Sequence, residues 1–334
     1  MARRLFVICL TVTALLSAIA AQGVAARPQP QKLRLPSPAG LTDQLRAEII
    51  AQAPTAKDDP TDLIFKSCPG AGPTVPGVQA GTCLVDPFGC TANFVFYNGP
   101  TVNTGGILRP AAGSTGGTGL PPYTSDGQHW FLGTAGHCLN GGPVLAQVRA
   151  PGLYVPGSDA GGIAAIGTTA KKVNGGIGND FGTIQLYAGQ LVTPATPIGG
   201  PLGVYDQGVP APINYYGHGY IFAVAQGKPG AGGAFFGSTD YYSWAGTSLP
   251  GDSGSGVMVG QLAAGDLTHG LGIGIVPLPV GYGTRMAKIF KILGRGFYMV
   301  NADGSLVANP NAATGPKEPW APLVKGGRTK HRRR

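Results

Sequence analysis

Charge is scarce in this 334-residue chain, at 12% of residues. The net +9 is concentrated at the ends. Two arginines in residues 1–26, and seven Lys or Arg against one Glu in residues 317–334, account for all but about one unit of it. The globular part is therefore close to neutral, and a basic nucleic-acid groove is not indicated. Long apolar runs are missing after residue 26, so no later stretch is suited to cross a bilayer. No C-x-x-C pair is present, which argues against a structural zinc site. Solenoid-type repeats are absent.

Glycine and proline are abundant, with 57 Gly and 30 Pro. That level raises the question of disorder. However, 43% of residues are hydrophobic, and apolar runs recur between the glycines. The combination suits a turn-rich β protein better than a disordered chain. Residues 1–26 read as a secretory signal peptide. Arg3 and Arg4 form its positive start, Leu5 to Leu16 its apolar core, and Val24-Ala25-Ala26 a small-residue cleavage site, with Ala18-Ile19-Ala20 as a second candidate. The chain is expected to be secreted to an extracellular location. Cys9 leaves with the signal, and Cys68, Cys83, Cys90 and Cys138 remain. An even number in an exported chain suggests two disulfides, with three pairings open.

Residues 27–67 differ from the chain beyond them. They begin Pro-rich, then Leu41 to Ala53 carries Leu41, Leu45, Ile49 and Ile50 at helical spacing. This segment reads as a propeptide or a disordered extension. From Cys68 onward the signals are β. Asn93 to Tyr97, Gln128 to Thr134, Val144 to Val148, Gly162 to Ile166 and Phe181 to Tyr187 are strand candidates, with a long loop expected over Asn98 to Pro122. Thr193 to Pro212 holds five prolines and reads as a linker. A second strand set comes next, at Ile213 to Tyr216, Gly219 to Ala225, Ala234 to Phe236, Tyr241 to Trp244, Gly256 to Val259 and Gly270 to Val276. Thr284 to Leu293 then has helical spacing. From about Ala302 the pattern fades, and residues 301–334 read as a disordered basic tail. The expected fold is all-β: two packed six-stranded antiparallel barrels, about 68–195 and 210–300, with a C-terminal helix.

Three short stretches carry chemistry. Ser248 to Gly256 reads S-L-P-G-D-S-G-S-G, with Ser253 between Gly251 and Gly254. A serine hydroxyl becomes a useful nucleophile when a base removes its proton and backbone N–H groups stabilise the oxyanion. Gly251 and Ser253 offer such N–H groups. His137 follows an apolar strand and sits beside Cys138. An imidazole, with a free pKa of about 6.5, suits a general base. Asp180 lies in an apolar neighbourhood, where it can accept from an imidazole N–H and fix its tautomer. None of the three convinces alone, but together they fit one mechanism, with the site between the two halves.

The motifs T-A-G-H-C at Thr134 to Cys138, N-D-F-G-T-I at Asn179 to Ile184 and G-D-S-G-S-G at Gly251 to Gly256 resemble those of trypsin-like, chymotrypsin-fold serine proteases. The likeness is to secreted bacterial-type members, and it covers roughly Cys83 to Gly294. It implies Ser253 as nucleophile, His137 as general acid–base and Asp180 as orienting acid. It also implies an oxyanion hole from the Gly251 and Ser253 N–H groups, and a buried Asp252 that shapes the loop. His218, in Tyr216-Gly217-His218-Gly219, becomes structural. Cys90–Cys138 is the favoured bridge, leaving Cys68–Cys83 as the second. Thr247, Ser248 and Pro250 fall at the specificity pocket, where Thr247 stands in place of an acid and points to a neutral or polar preference. His269 hints at acidic substrates, although its register departs from the glutamyl endopeptidases.

The chain also departs from the pattern. No Val-Gly-Gly run precedes Cys90, which leaves the neutralisation of Asp252 open. No cysteine precedes Gly251 to brace the pocket, and Ser255-Gly256 stands where the family has Gly-Pro. An α/β-hydrolase elbow fails because the fifth residue from Gly251 is Ser255, and the order His, Asp, Ser excludes a subtilisin arrangement. The expected activity is that of a serine endopeptidase, made as a zymogen and acting on proteins or peptides as a monomer. No cofactor, metal or nucleic-acid partner is expected. The alternative is a catalytically inactive, protease-like binding protein.

Overall fold

The computed structural model describes residues 77–85, 89–111, 120–148, 162–221, 224–225, 228–246, 248–273 and 276–310. Residues 1–26, expected to be a signal peptide, the 27–67 segment, Cys68, Thr247 and the residues beyond 310 lie outside the described residues.

The strand Val95–Tyr97 shows why the first half folds as it does. Its residues and Phe94 are all almost fully buried, so the strand has no solvent face. Val95 and Tyr97 point into one apolar cluster with Trp130, Leu132 and Ile184. Phe94 and Phe96 point the other way, into a cluster with Phe131, Phe181 and Phe290. Period-2 alternation of two apolar sets is what a strand buried on both sides requires. Phe96 meets Phe181 and Phe290 edge-on, with ring centroids 5.8 and 6.5 Å apart. Burying each such ring is worth about 1.5–3 kcal/mol.

This half is a nine-stranded sheet. Its central strands are Val95–Tyr97, Trp130–Thr134, Asp180–Leu186, Gly162–Asn174 and Pro143–Val148, in that order, with Cys83–Leu84 and Cys90–Thr91 beyond. The chain also returns to it from the far end. Tyr298–Val300 pairs with Val95–Tyr97, and Leu306–Ala308 pairs with Tyr298–Val300. Regular structure therefore runs past Ala302, where the sequence pattern fades.

The second half is a closed six-stranded barrel. Its strands are Ala211–Gly217, Lys228–Phe235, Tyr241–Gly246, Gly256–Val259, Leu262–Ile273 and Val276–Arg285. Around the barrel they run first, second, third, sixth, fifth, fourth, all neighbours antiparallel. Closure leaves no free sheet edge. Tyr215, Phe236, Tyr242, Trp244 and Leu267 fill its interior.

Two further details differ from the expected layout. The loop expected over Asn98 to Pro122 contains a hairpin, Thr101–Thr104 against Ile107–Pro110. Its two-residue turn, Gly105-Gly106, takes φ of 61° and 87°, a combination that glycine supplies. The run read as one strand over Gly270 to Val276 instead spans the end of one strand and the start of the next.

The closing helix is Met286–Leu293. Met286, Ile289, Phe290 and Leu293 are buried against the first-half sheet. The helix stops at Gly294, and Asn309 Nδ2 caps its end by donating to the carbonyls of Phe290 at 2.8 Å and Gly294 at 2.5 Å. At its start, the buried Arg285 guanidinium donates to the carbonyls of Phe236, Ser238, Asp206 and Gln207. It thereby ties the linker between the halves to the barrel.

Candidate active site

His137 sits in a short 3-10 turn, Gly136–Cys138, that follows the fully buried strand Trp130–Thr134. The turn packs so closely on its neighbours that a side chain at position 136 would place Cβ 1.9 Å from the Val173 carbonyl oxygen. Glycine is the residue that fits there. A disulfide joins Cys138 to Cys90, as the family likeness implies, and so fixes the turn to a neighbouring strand. Cys83 is also disulfide-bonded, while Cys68, its expected partner, lies outside the described residues.

Asp180 opens the strand Asp180–Leu186, which pairs with the strand leading to His137. Its carboxylate is completely buried. Oδ1 accepts from the His137 main-chain N–H at 2.8 Å, and Oδ2 accepts from His137 Nδ1 at 2.6 Å. This leaves the Nε2 lone pair of a neutral His137 directed away from the carboxylate. The ring is about one-third exposed. Thr284 Oγ1, from the barrel's last strand, donates to the Asp180 carbonyl at 3.1 Å. Both halves therefore hold the acid.

Ser253 is partly exposed and lies in a tight loop. The loop is closed by Asp252 N–H to Leu249 O and Ser255 N–H to Asp252 O, both at 3.0 Å. Gly254 N–H donates to Leu267 O at 2.6 Å. The N–H groups of Gly251 and Ser253 make none of the described hydrogen bonds, and neither does the Ser253 hydroxyl. Gly254 has φ of 88°, and a Cβ there would strike Thr91 O at 2.2 Å and Thr134 Oγ1 at 2.3 Å.

Thr91 is the residue that joins this loop to the histidine turn, and nothing in the sequence pattern singles it out. Its N–H donates to Ser253 O at 2.8 Å. Its hydroxyl donates to Gly251 O at 2.9 Å and accepts from His218 N–H at 3.0 Å. Its carbonyl accepts from Thr134 Oγ1 at 3.0 Å. Cys138 Sγ lies 3.8 Å from the Ser253 carbonyl, so the serine loop passes beside the disulfide.

Asp252 is also fully buried. It accepts from Gly219 N–H at 2.5 Å, Leu249 N–H at 2.9 Å and Tyr215 OH at 3.4 Å. Backbone N–H groups are effective partners for a buried carboxylate. These donors stabilise the buried carboxylate from within the barrel. The Tyr216–Gly219 turn needs its glycines because Cβ atoms at positions 217 and 219 would fall 2.3 and 2.5 Å from the Asp252 carboxylate. His218 is buried, its Nε2 2.7 Å from Gly81 O.

Two further groups gather at Asp180. His269 places Nδ1 3.9 Å from Asp180 Oδ2, and its ring centroid is 6.2 Å from that of His137. Asp266 is fully buried, accepts from Thr284 N–H at 3.1 Å through Oδ1, and has no hydrogen-bond partner at Oδ2 among the described residues. Burial first, and the neighbouring Asp180 charge second, push its carboxyl well above the usual range. Of the expected pocket residues, Ser248 is buried and faces Gly270, where a Cβ would stand 3.5 Å from its hydroxyl. Pro250 is exposed. The sulfurs of Cys90 and Cys138 lie near His137, but they are bonded to each other and present no thiolate to a metal.

The chain matches no family description and no curated protein. Among solved structures it is similar to Thermobifida fusca Protease A, at 16% identity over 67% of this chain and 100% of that one, with a TM-score of 0.42. It is also similar to Nocardiopsis Protease, at 16% identity, 64% and 95% coverage and a TM-score of 0.37. A third is a glutamic acid-specific serine protease described as using a histidine triad in substrate binding, at 17% identity, 64% and 96% coverage and a TM-score of 0.37.

Proposed function

We propose that this chain is a secreted serine endopeptidase. The observation that carries the reading is the two-point grip of a buried Asp180 on His137, in a turn bridged to the strand whose Thr91 holds the serine loop. In this reading His137 Nε2 takes the Ser253 proton as Oγ attacks the substrate carbonyl carbon. The N–H groups of Gly251 and Ser253 then stabilise the oxyanion. The imidazolium passes its proton to the departing amine, the C–N bond breaks, and an acyl-enzyme forms. Water, deprotonated by His137, releases the acid and restores Ser253. Asp180 holds the imidazole in the productive tautomer throughout.

Thr247, Ser248 and Pro250 form the specificity pocket of this reading, with a neutral or polar preference. Residues 1–26 act as the signal, residues 27–67 as the pro-segment of a zymogen, and the mature enzyme works as a monomer on proteins or peptides. Ser253→Ala tests the core of it. Turnover of a peptide substrate by the mature chain should fall by about six orders of magnitude. An organophosphorus reagent should label Ser253 alone. A wild-type chain that neither cleaves nor labels would favour the inactive binding-protein alternative.

A further inference from the structure

The second-half barrel turns large side chains outward as well as inward. In Tyr241–Gly246, Tyr242 and Trp244 enter the core, which leaves Tyr241, Ser243 and Ala245 on the outer face. The strand register carries that face across four strands. Phe235 pairs with Ser243, Ser243 with Tyr282, and Tyr282 with His269. Directly paired residues share a face, so these four side chains form one row across the outside of the barrel. Phe235, at the far end, is 57% exposed, and Tyr241 and Val280 flank the row at 39% and 38%. The Tyr241 and Tyr282 rings meet edge-on, with centroids 6.1 Å apart. Beside the row lies an open groove of about 570 Å³, lined by Pro210, Pro212, Phe235, Ser243, Ala245 and Val280 among others. No charged side chain lines it among the described residues. A contiguous exposed apolar patch of this kind marks an interaction site. Its near end reaches the candidate active site, where the His269 and His137 ring centroids are 6.2 Å apart.

We propose that this face is a secondary binding track for the substrate, and that it takes apolar side chains of an extended polypeptide remote from the scissile bond. The inference rests on the protease reading above. Continuity selects the occupant. A chain held for cleavage at His137 that runs on past His269 meets Tyr282, the groove and Phe235 in turn. The lack of charge in the groove selects apolar side chains over acidic or basic ones. Three interstrand steps of about 4.8 Å separate Phe235 from His269 by about 14 Å, which about four residues of extended chain span. Binding energy gained that far from the reacting atoms can be used in the transition state, so it appears in kcat/KM.

Peptides with one cleavable centre test this: a short one, and one extended at both ends by alternating Phe and Ser far enough to span the row. The extended peptide should exceed the short one in kcat/KM by at least about tenfold, and an extension of Gly and Ser alone should not. Phe235→Asp and Val280→Asp should each remove most of that advantage. Val102→Asp, at an exposed apolar position on the first-half hairpin, should keep it. The mature Ser253→Ala chain should bind the extended peptide more tightly than the short one, and Phe235→Asp should abolish the difference. Equal kcat/KM for all peptides in an active chain, or an advantage indifferent to Phe235→Asp and Val280→Asp, overturns the proposal and leaves the protease reading standing. Selective binding of the extended peptide through Phe235, in a chain that cleaves nothing, would uphold the track and sink the protease reading. Two outcomes would overturn the proposal by giving the face to another occupant. One is a dimer that Phe235→Asp makes monomeric, which assigns it to a second copy. The other is tight binding of a peptide of residues 41–53 through Phe235 with no long-substrate advantage, which assigns it to the pro-segment.

Discussion

Asp180 holds His137 by two bonds rather than one: Oδ1 takes the main-chain N–H at 2.8 Å and Oδ2 takes the ring Nδ1 at 2.6 Å. The first bond fixes where the turn sits and the second fixes which ring nitrogen is protonated. Asp180→Asn separates them. The amide oxygen can still accept from the main chain, but the amide nitrogen then faces Nδ1 and favours the opposite tautomer. Peptide hydrolysis should drop by about 10⁴-fold, mostly in kcat, with little change in melting temperature. Unchanged kcat would show that the ring tautomer is irrelevant to the activity.

Thr91 should matter for both stability and turnover. Its hydroxyl is buried and serves two partners, Gly251 O and His218 N–H. Thr91→Val keeps the shape and leaves both partners unpaired, at about 1–3 kcal/mol for each buried group. The variant should melt lower, and kcat should fall because the Ser253 loop loses one of its anchors. A variant that melts and turns over like the wild type would show that the loop is held elsewhere.

Local chemistry is legible in the sequence; tertiary packing is not. His137, Asp180 and Ser253 stand out because proton transfer and nucleophilic attack demand particular residue types in recognisable surroundings. Thr91 carries no such mark, since its partner Gly251 is 160 positions away. The strand Lys228–Phe235 is largely invisible to propensity because K-P-G-A-G-G-A-F contains few β formers. Its glycines answer a packing need: a Cβ at Gly230 would lie 2.0 Å from the Tyr215 ring. Leu306–Ala308 escapes notice because a three-residue strand is too short for a periodic pattern, and its pairing partner sets its identity. The buried strand Val95–Tyr97 is clear, because it and Phe94 are strong β formers.

The Cys90–Cys138 bridge closes a loop of 48 residues, for which chain entropy predicts about 4 kcal/mol of stabilisation. Replacing both cysteines by alanine should lower the unfolding free energy by about 2–4 kcal/mol in a denaturant titration. Activity should fall by more than the loss of folded chain explains, because the bridge ties the His137 turn to the strand whose Thr91 holds the Ser253 carbonyl. A double variant that is destabilised yet fully active per folded molecule would separate the bridge from the site.

Asp266 should make stability depend on pH in the direction opposite to an ion-paired acid. Its carboxyl is fully buried, with Oδ2 unpartnered among the described residues, and burial followed by the Asp180 charge raises its affinity for a proton in the folded state. Thr284 N–H opposes the shift, and the buried phenol of Tyr242 lies close enough to feel the Asp266 charge. In the unfolded chain the group titrates near the ordinary 3.8. Its contribution to stability is therefore fully present below about pH 4 and is lost as pH rises towards the higher folded value, because the unfolded state ionises while the folded state resists. Asp266→Asn cannot ionise and lacks this loss. Melting temperatures across pH 4 to 9 should show the asparagine variant gaining on the wild type as pH increases, whatever constant offset its buried amide adds. A difference that stays flat, or reverses, would mean that Asp266 is ionised in the folded protein and compensated by a neighbour.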